Sequence, residues 1–383
     1  MQNFTYLALF GLSAALLVPN SAVAQQALPA TQSILFWSIP ERDVAFRQME
    51  KIAPVHSILA GGTVHRFIKG AKLKLALDLD EYVKTQRIAG LIIVQDNRIR
   101  LEKYALGYDS SSRWTSFSVA KSFTSTLVGA ALRDGFIKSL DDNVTDYIPG
   151  LNGSSYDVVT VRQLLTMTSG IKWNEDYADP NSDVALFTGH QADPGLDVTV
   201  SYMRRLPREA PPGTKWLYKT GETNLIGVLV SQATKKTLSA YLSEKVWKPY
   251  GMERDAIWML GSTGHEISGC CVSASLRDYA RLGQFILDGG KVGNKDVLPK
   301  DWIAQATTKQ ADIGAPGRGY GFQWWTYDDG SFAAVGIFGQ SIFIDPKRKL
   351  VIATNGDWPT ATDRKGLQPA RDAFFRAVQA AVK

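Results

Sequence analysis

The chain has 383 residues, of which 45% are hydrophobic, 21% charged and 10% aromatic. This is a globular composition that excludes wholesale disorder, and roughly 150 residues per domain gives two to three domains. No G-x-y period, sustained heptad or long apolar run follows the N-terminus, which excludes collagen, coiled coil and polytopic membrane protein. The net charge is +6, but the basic residues are scattered. The densest knots, Lys347-Arg348-Lys349 and Arg204-Arg205 with Arg208, read as a turn and a solvated helix face, so nucleic acid is not an expected partner.

Met1 to Ala24 carries no charged residue, and the first charge is Glu41. Tyr6 to Val18 is apolar but shorter than the ~20 residues a bilayer requires, and Pro19, Asn20 and the small-residue signature Ala22-Val23-Ala24 follow. That order predicts a signal peptide over residues 1–24, cleaved from a periplasmic or secreted bacterial protein with no stable membrane insertion afterwards. The basic residue usual at the start of such a peptide is missing. Gln25 to Leu73 is a mixed lead-in with little periodicity. Gly90 to Val94 is a buried-strand run, turned at Asp96-Asn97 into a second strand at Ile99 to Tyr104.

Ser118 to Leu132 has apolar residues at helical spacing and stops at Gly135. Asp141 to Gly251 is mostly helical in pattern, broken by a lid-like loop over residues 172–197 that is rich in Asp, Asn, Pro and Gly. Strand patterning returns at Phe332 to Val335, Ser341 to Asp345 and Leu350 to Thr354, with Asp345-Pro346 in the last turn, and an amphipathic helix covers Pro369 to Val382. Strands at both ends with helices between predict a discontinuous α/β domain over residues 25–115 and 252–383, carrying a mostly helical domain over residues 116–251.

The chemistry starts at Ser118-Val119-Ala120-Lys121. At a helix start, residues i and i+3 share a face about one turn apart, so the lysine amine can approach the serine oxygen. Desolvation lowers an amine's pKa and lets it take the hydroxyl proton, while the helix N-terminus offers free N–H groups to a developing oxyanion. Such a tetrapeptide also arises by chance. Ser169-Gly170-Ile171-Lys172 is a second example, and there Gly170 reads as a helix stop. Tyr218, just before the helical pattern that includes Thr220 to Gly227, can move a proton if a neighbouring cation lowers its pKa. Gly336 and Gly339, inside a strand pattern at Val335 to Gln340, mark close approach of a ligand or backbone.

Other chemistries lack support. His56, His65, His190 and His265 fit no metal spacing, no G-x-S-x-G elbow occurs, and no glycine-rich phosphate loop implies a cofactor. Adjacent Cys270 and Cys271 rarely meet the geometry of a mutual disulfide and are not spaced as metal ligands; they read as small buried hydrophobes.

The order S-x-x-K, tyrosine motif, glycine-rich late strand resembles the serine β-lactamase and penicillin-binding-protein superfamily. The nearest likeness is its class C-type branch, with 6-aminohexanoate-dimer hydrolases and related carboxylesterases. Further matches are Thr115-Ser116-Phe117, Leu164 to Gly170, Trp173-Asn174-Glu175-Asp176-Tyr177, Lys248 to Met252, Ser275 to Arg281 and Tyr320 to Trp325. The resemblance implies a β-lactamase/transpeptidase-like fold, an antiparallel sheet flanked by helices with an inserted mostly helical domain. It implies Ser118 as acylated nucleophile, Lys121 as base or relay and Tyr218 as proton carrier to the leaving group. The N–H groups of Ser118 and Ile337, beside Gly336, would form the oxyanion hole, and Tyr177 would hydrogen-bond a leaving amine nitrogen.

Two departures bear on substrate. Thr220 stands where many relatives have the Asn of Y-x-N. Near Val335-Gly336-Ile337 there is neither the Lys of K-T-G nor the His of H-T-G, so a substrate carboxylate close to the scissile bond loses a charge-assisted anchor, an interaction of about 1.5–3 kcal/mol. The expected substrate is a small amide or ester, without metal or cofactor, and a homodimer is allowed. The alternatives are a carboxylesterase with little amidase activity, a β-lactamase, or a relative that binds ligand without turnover.

Overall fold

The apolar run around Ile92 becomes a central strand in the computed structural model, which describes Met1 and residues 33–382. The apolar segment and small-residue signature of the expected signal peptide lie outside the described residues. The strands follow in chain order as β1 (Val55–Ile58), β2 (Ile68–Lys69), β3 (Ile88–Gln95), β4 (Arg98–Tyr104), β5 (Trp114–Thr115), β6 (Ala256–Met259) and β7 (Val272–Ala274). A small hairpin of β8 (Lys291–Val292) and β9 (Lys295–Asp296) precedes β10 (Arg318–Tyr320), β11 (Trp325–Tyr327), β12 (Phe332–Val335), β13 (Ser341–Asp345) and β14 (Leu350–Gly356).

One sheet has eight strands in the order β10-β11-β12-β13-β14-β3-β4-β2. Its pairs are antiparallel except β2 with β4. The hairpin between β3 and β4 turns at Asp96 and Asn97, both with positive φ, as short two-residue turns require. Alternate residues of β3 and β14 serve opposite faces. Ile92, Val94, Val351 and Ala353 enter the main core, while Leu91, Ile93, Leu350 and Ile352 join Phe374, Phe375 and Val378 of the terminal helix Leu367–Ala381. Burial on both faces explains why these strands read as continuous apolar runs, each large side chain contributing about 1.5–3 kcal/mol. On the main-core face the Leu276–Leu287 helix lies so close that a Cβ at Gly283 would stand 2.5 Å from Val351.

The second sheet, β1-β6-β7-β5, was not visible in the sequence. Its strands have two to four residues, too few for a period to show. Two long helices, Ala120–Arg133 and Thr220–Thr234, pack against each other, and the first also meets β12. Every residue from Ala120 to Ala131 is buried, so that helix is enclosed on all sides, its polar positions as well as its apolar ones. The segment over residues 172–197 is not a bare loop: Asp183–Gly189 forms a helix capped by the Ser182 hydroxyl.

The cysteines require a correction. Cys270 and Cys271 are joined to each other by a disulfide, whereas the sequence reading made them unpaired hydrophobes. In an extended strand neighbouring side chains point to opposite faces. Cys271 has φ 74°, which breaks that alternation immediately before β7 and lets the two sulfurs meet.

Candidate active site

The turn that carries Ser118 is suspended between the two sheets. Thr115 pairs with Ser273 in the second sheet, and the Ser116 N–H donates to Val272 O at 2.7 Å. Phe117 then takes φ 43°, a left-handed conformation costly for a bulky residue. A 3-10 turn, Phe117–Val119, runs directly into the Ala120–Arg133 helix. Lys121 therefore falls in the first helical turn, and its Nζ lies 3.1 Å from Ser118 Oγ.

The same Nζ lies 2.8 Å from Gly269 O and 3.0 Å from Thr220 Oγ1. It also sits over the Tyr218 ring, 5.1 Å from its centre. Lys121 is 1% exposed, and burial lowers its pKa from 10.5 to about 8, with the Glu175 charge opposing that fall. An ammonium can donate to all three oxygens. The neutral amine keeps two N–H groups, for Thr220 and Gly269, and turns its lone pair to the Ser118 hydroxyl. A proton acceptor is thus aimed at Ser118.

The condition attached to Tyr218, a pKa lowered by a neighbouring cation, is not met: burial, and secondarily the Glu175 charge, push it well above the ordinary value, with the Ser118 hydroxyl opposing. Tyr218 is therefore a neutral phenol, able to pass a proton on but not standing as a preformed tyrosinate. Its ring stacks on Trp325 at 5.6 Å and meets Tyr320 edge-on. Behind it, buried Lys219 and Glu222 pair at 3.6 Å, and the Ser169 hydroxyl donates to Glu222. Ser169 thus belongs to the packing under the site, and Lys172 is exposed.

Ile337 lies just past the end of β12, not within a strand: Ile337–Gly339 is a 3-10 turn leading to β13. Ser118 and Ile337 both stand in first turns, where N–H groups have no acceptor within the helix. Gly336 brings the two segments together. A Cβ there would lie 2.6 Å from Ser116 O and 3.1 Å from Ser118 N. The turn is braced from behind. Trp358 N donates to Phe338 O at 3.2 Å, and buried Arg42 binds Asp357 at 2.6 Å and Trp358 O at 3.0 Å.

Tyr177 joins the group through Glu175, a residue quoted in the W-N-E-D-Y match without a role. The Tyr177 hydroxyl donates to Glu175 Oε1 at 2.7 Å. The Thr220 N–H donates to Oε2 at 2.9 Å, and the Thr220 hydroxyl and Trp173 Nε1 also donate to this carboxylate. Ser118, Lys121, Tyr218, Thr220 and Tyr177 are therefore linked in one network, with Gly336 packed close to Ser118 N and Ile337 next to it in the chain. A groove of about 1040 Å³ beside β4 is lined by Arg66, Lys69 and Arg277 and includes none of these groups. Among the described residues no cluster of His, Cys, Asp and Glu could hold a metal ion, and no helix is long and apolar enough to cross a membrane.

Residues 75–373 match the beta-lactamase family model. A 6-aminohexanoate-dimer hydrolase of Paenarthrobacter ureafaciens is 30% identical over 311 residues, spanning 76% of this chain and 78% of that protein. Among solved structures, a Bacillus anthracis protein assigned as a 6-aminohexanoate-dimer hydrolase superposes with a TM-score of 0.79 at 22% identity, covering 92% of this chain and 98% of the other. A family VIII carboxylesterase superposes with a TM-score of 0.58 at 18% identity, over 78% and 95% of the two chains. These structural likenesses establish the expected β-lactamase/transpeptidase-like arrangement of helices and antiparallel sheet.

Proposed function

The chain belongs to the beta-lactamase family, and from that premise we propose that it hydrolyses amide or ester bonds through an acyl-enzyme on Ser118. The observation that carries the reading is the buried Lys121 amine, 3.1 Å from Ser118 Oγ with its pKa lowered to about 8.

Neutral Lys121 takes the Ser118 proton as Oγ attacks the carbonyl carbon. The oxyanion forms against the Ser118 and Ile337 N–H groups, the kind of preorganised donor pair that stabilises charge only as it develops. The proton passes through Tyr218 to the leaving nitrogen or oxygen, the C–N or C–O bond breaks, and the acyl group stays on Ser118. Water then attacks that ester, giving its proton back along the Lys121–Tyr218 pair, and the carboxylic acid leaves. The low pKa of Lys121 and the high one of Tyr218 favour the lysine as resting base and the tyrosine as relay.

The 6-aminohexanoate-dimer hydrolase likeness favours a linear amide, and the lack of a Lys or His near Val335-Gly336-Ile337, where K-T-G and H-T-G relatives carry one, disfavours penicillin-like substrates. The charge-free apolar start that ends in Ala22-Val23-Ala24 supports export. The test compares a p-nitrophenyl ester, a linear aminohexanoate dimer and a chromogenic cephalosporin, using the protein and its Ser118→Ala variant. Cleavage of ester or dimer by the parent alone is expected. Turnover retained by Ser118→Ala overturns the mechanism, and fast cephalosporin turnover overturns the substrate reading.

A further inference from the structure

Four donors meet the two oxygens of Glu175. Oε2 accepts from Trp173 Nε1 and the Thr220 N–H; Oε1 accepts from the Thr220 and Tyr177 hydroxyls. A hydroxyl has one proton to give and two lone pairs. Thr220 and Tyr177 both spend that proton on Oε1, so each shows only lone pairs elsewhere. On Thr220 a lone pair meets Lys121 Nζ at 3.0 Å. On Tyr177 the Thr220 side chain meets one lone pair, and the other remains for a group entering the site beside Tyr218.

We propose that Glu175 is a positioning residue that sets substrate class. By taking the Tyr177 proton it makes Tyr177 a hydrogen-bond acceptor toward the leaving group, which selects secondary amides over esters. A secondary amide nitrogen carries an N–H that such an acceptor can hold; an ester oxygen presents lone pairs to lone pairs. A tyrosine free to rotate its hydroxyl would serve both. The same carboxylate orders the Thr220 hydroxyl toward Lys121, so one residue governs both the leaving-group contact and the surroundings of the base. The inference rests on the reading of Ser118 as nucleophile.

The test uses Glu175→Gln, Tyr177→Phe and their combination. The substrates share one acyl group: butyryl p-nitroanilide and p-nitrophenyl butyrate. A glutamine amide can donate to the hydroxyls and reverse their direction at nearly unchanged volume. Expected for Glu175→Gln is a loss in amide kcat/KM about tenfold larger than the ester loss, the size of one hydrogen bond. In the Tyr177→Phe background Glu175→Gln should add no further amide-selective loss. The acid limb of the ester pH profile should move to lower pH, because a negative charge near Lys121 is gone; a purely structural role would leave the limb in place. Equal amide and ester losses overturn the proposal, as does ester turnover without amide turnover in the parent. If Glu175→Gln does not fold, Tyr177→Phe decides by the same ratio. Ser118→Ala separates the two layers: turnover kept in that variant removes the serine mechanism itself, whereas turnover lost there with equal Glu175→Gln losses overturns only the role of Glu175.

Discussion

The acid limb of the pH–rate profile tests the central reasoning most directly. Lys121 must be neutral to accept the Ser118 proton, and its pKa is lowered from 10.5 to about 8 by burial. At pH 7 about one molecule in eleven then holds the neutral amine, and at pH 6 about one in a hundred. The ester kcat/KM should therefore rise nearly tenfold from pH 6 to 7, reach half its plateau near pH 8 and level above about pH 9, reporting the free enzyme. The assay is initial-rate release of p-nitrophenol, corrected for spontaneous hydrolysis, with Lys121→Arg beside the parent. A guanidinium does not deprotonate in this range, so that variant should lose turnover at every pH. A profile flat down to pH 6, or a limb centred near the ordinary lysine value, refutes the assignment of Lys121 as base. Stability carries the same signature. Because the folded value lies below the unfolded one, the unfolded chain binds more protons between about pH 8 and 10.5, so this group's contribution rises with pH across that window. At about 1.36 kcal/mol per pH unit, the folded state bears about 3 kcal/mol below pH 8 for burying the charged lysine.

Tyr218→Phe removes the relay while keeping the ring stacked on Trp325. Turnover should fall by orders of magnitude with the thermal midpoint nearly unchanged, and near-parental kcat would contradict the relay. Gly336→Ala would put a Cβ 2.6 Å from Ser116 O, spreading the turn away from Ser118 N. Turnover should drop about 10²-fold, the scale of one lost oxyanion donor, and unaltered kcat would show that the two segments can separate without consequence. Arg42→Ala leaves buried Asp357 with Arg87 at 3.2 Å as its one remaining ion-pair partner among the described residues. A loss of about 3 kcal/mol in denaturant unfolding is expected, with reduced turnover because Arg42 also braces the Ile337–Gly339 turn.

What the sequence by itself determined is what arises between near neighbours. The β3–β4 hairpin was legible because an apolar run, Asp96-Asn97 and a second run are contiguous, and β12, β13 and β14 for the same reason. Ser118 and Lys121 were legible because three residues on a helix already set their distance, whatever surrounds them. Tyr218 was a candidate from its place just before a helical pattern; the family likeness gave it a role and added Tyr177 and Ile337. Tertiary structure alone decided what those groups are like. The low pKa of Lys121 depends on burial and on Gly269 and Thr220, about 150 and 100 residues away in the chain. The raised pKa of Tyr218 comes from enclosure that no local motif encodes. Glu175 looked like one more acidic loop residue until the segment over residues 172–197 folded back on the start of the Thr220–Thr234 helix. The short strands of the second sheet had no period to read, and the left-handed turn at Cys271 that joins two adjacent sulfurs is a backbone choice made by the packing around β7. Spacing along a helix sets which groups can meet; the solvent and charge around them, and so their protonation, are settled only when distant segments close over the site.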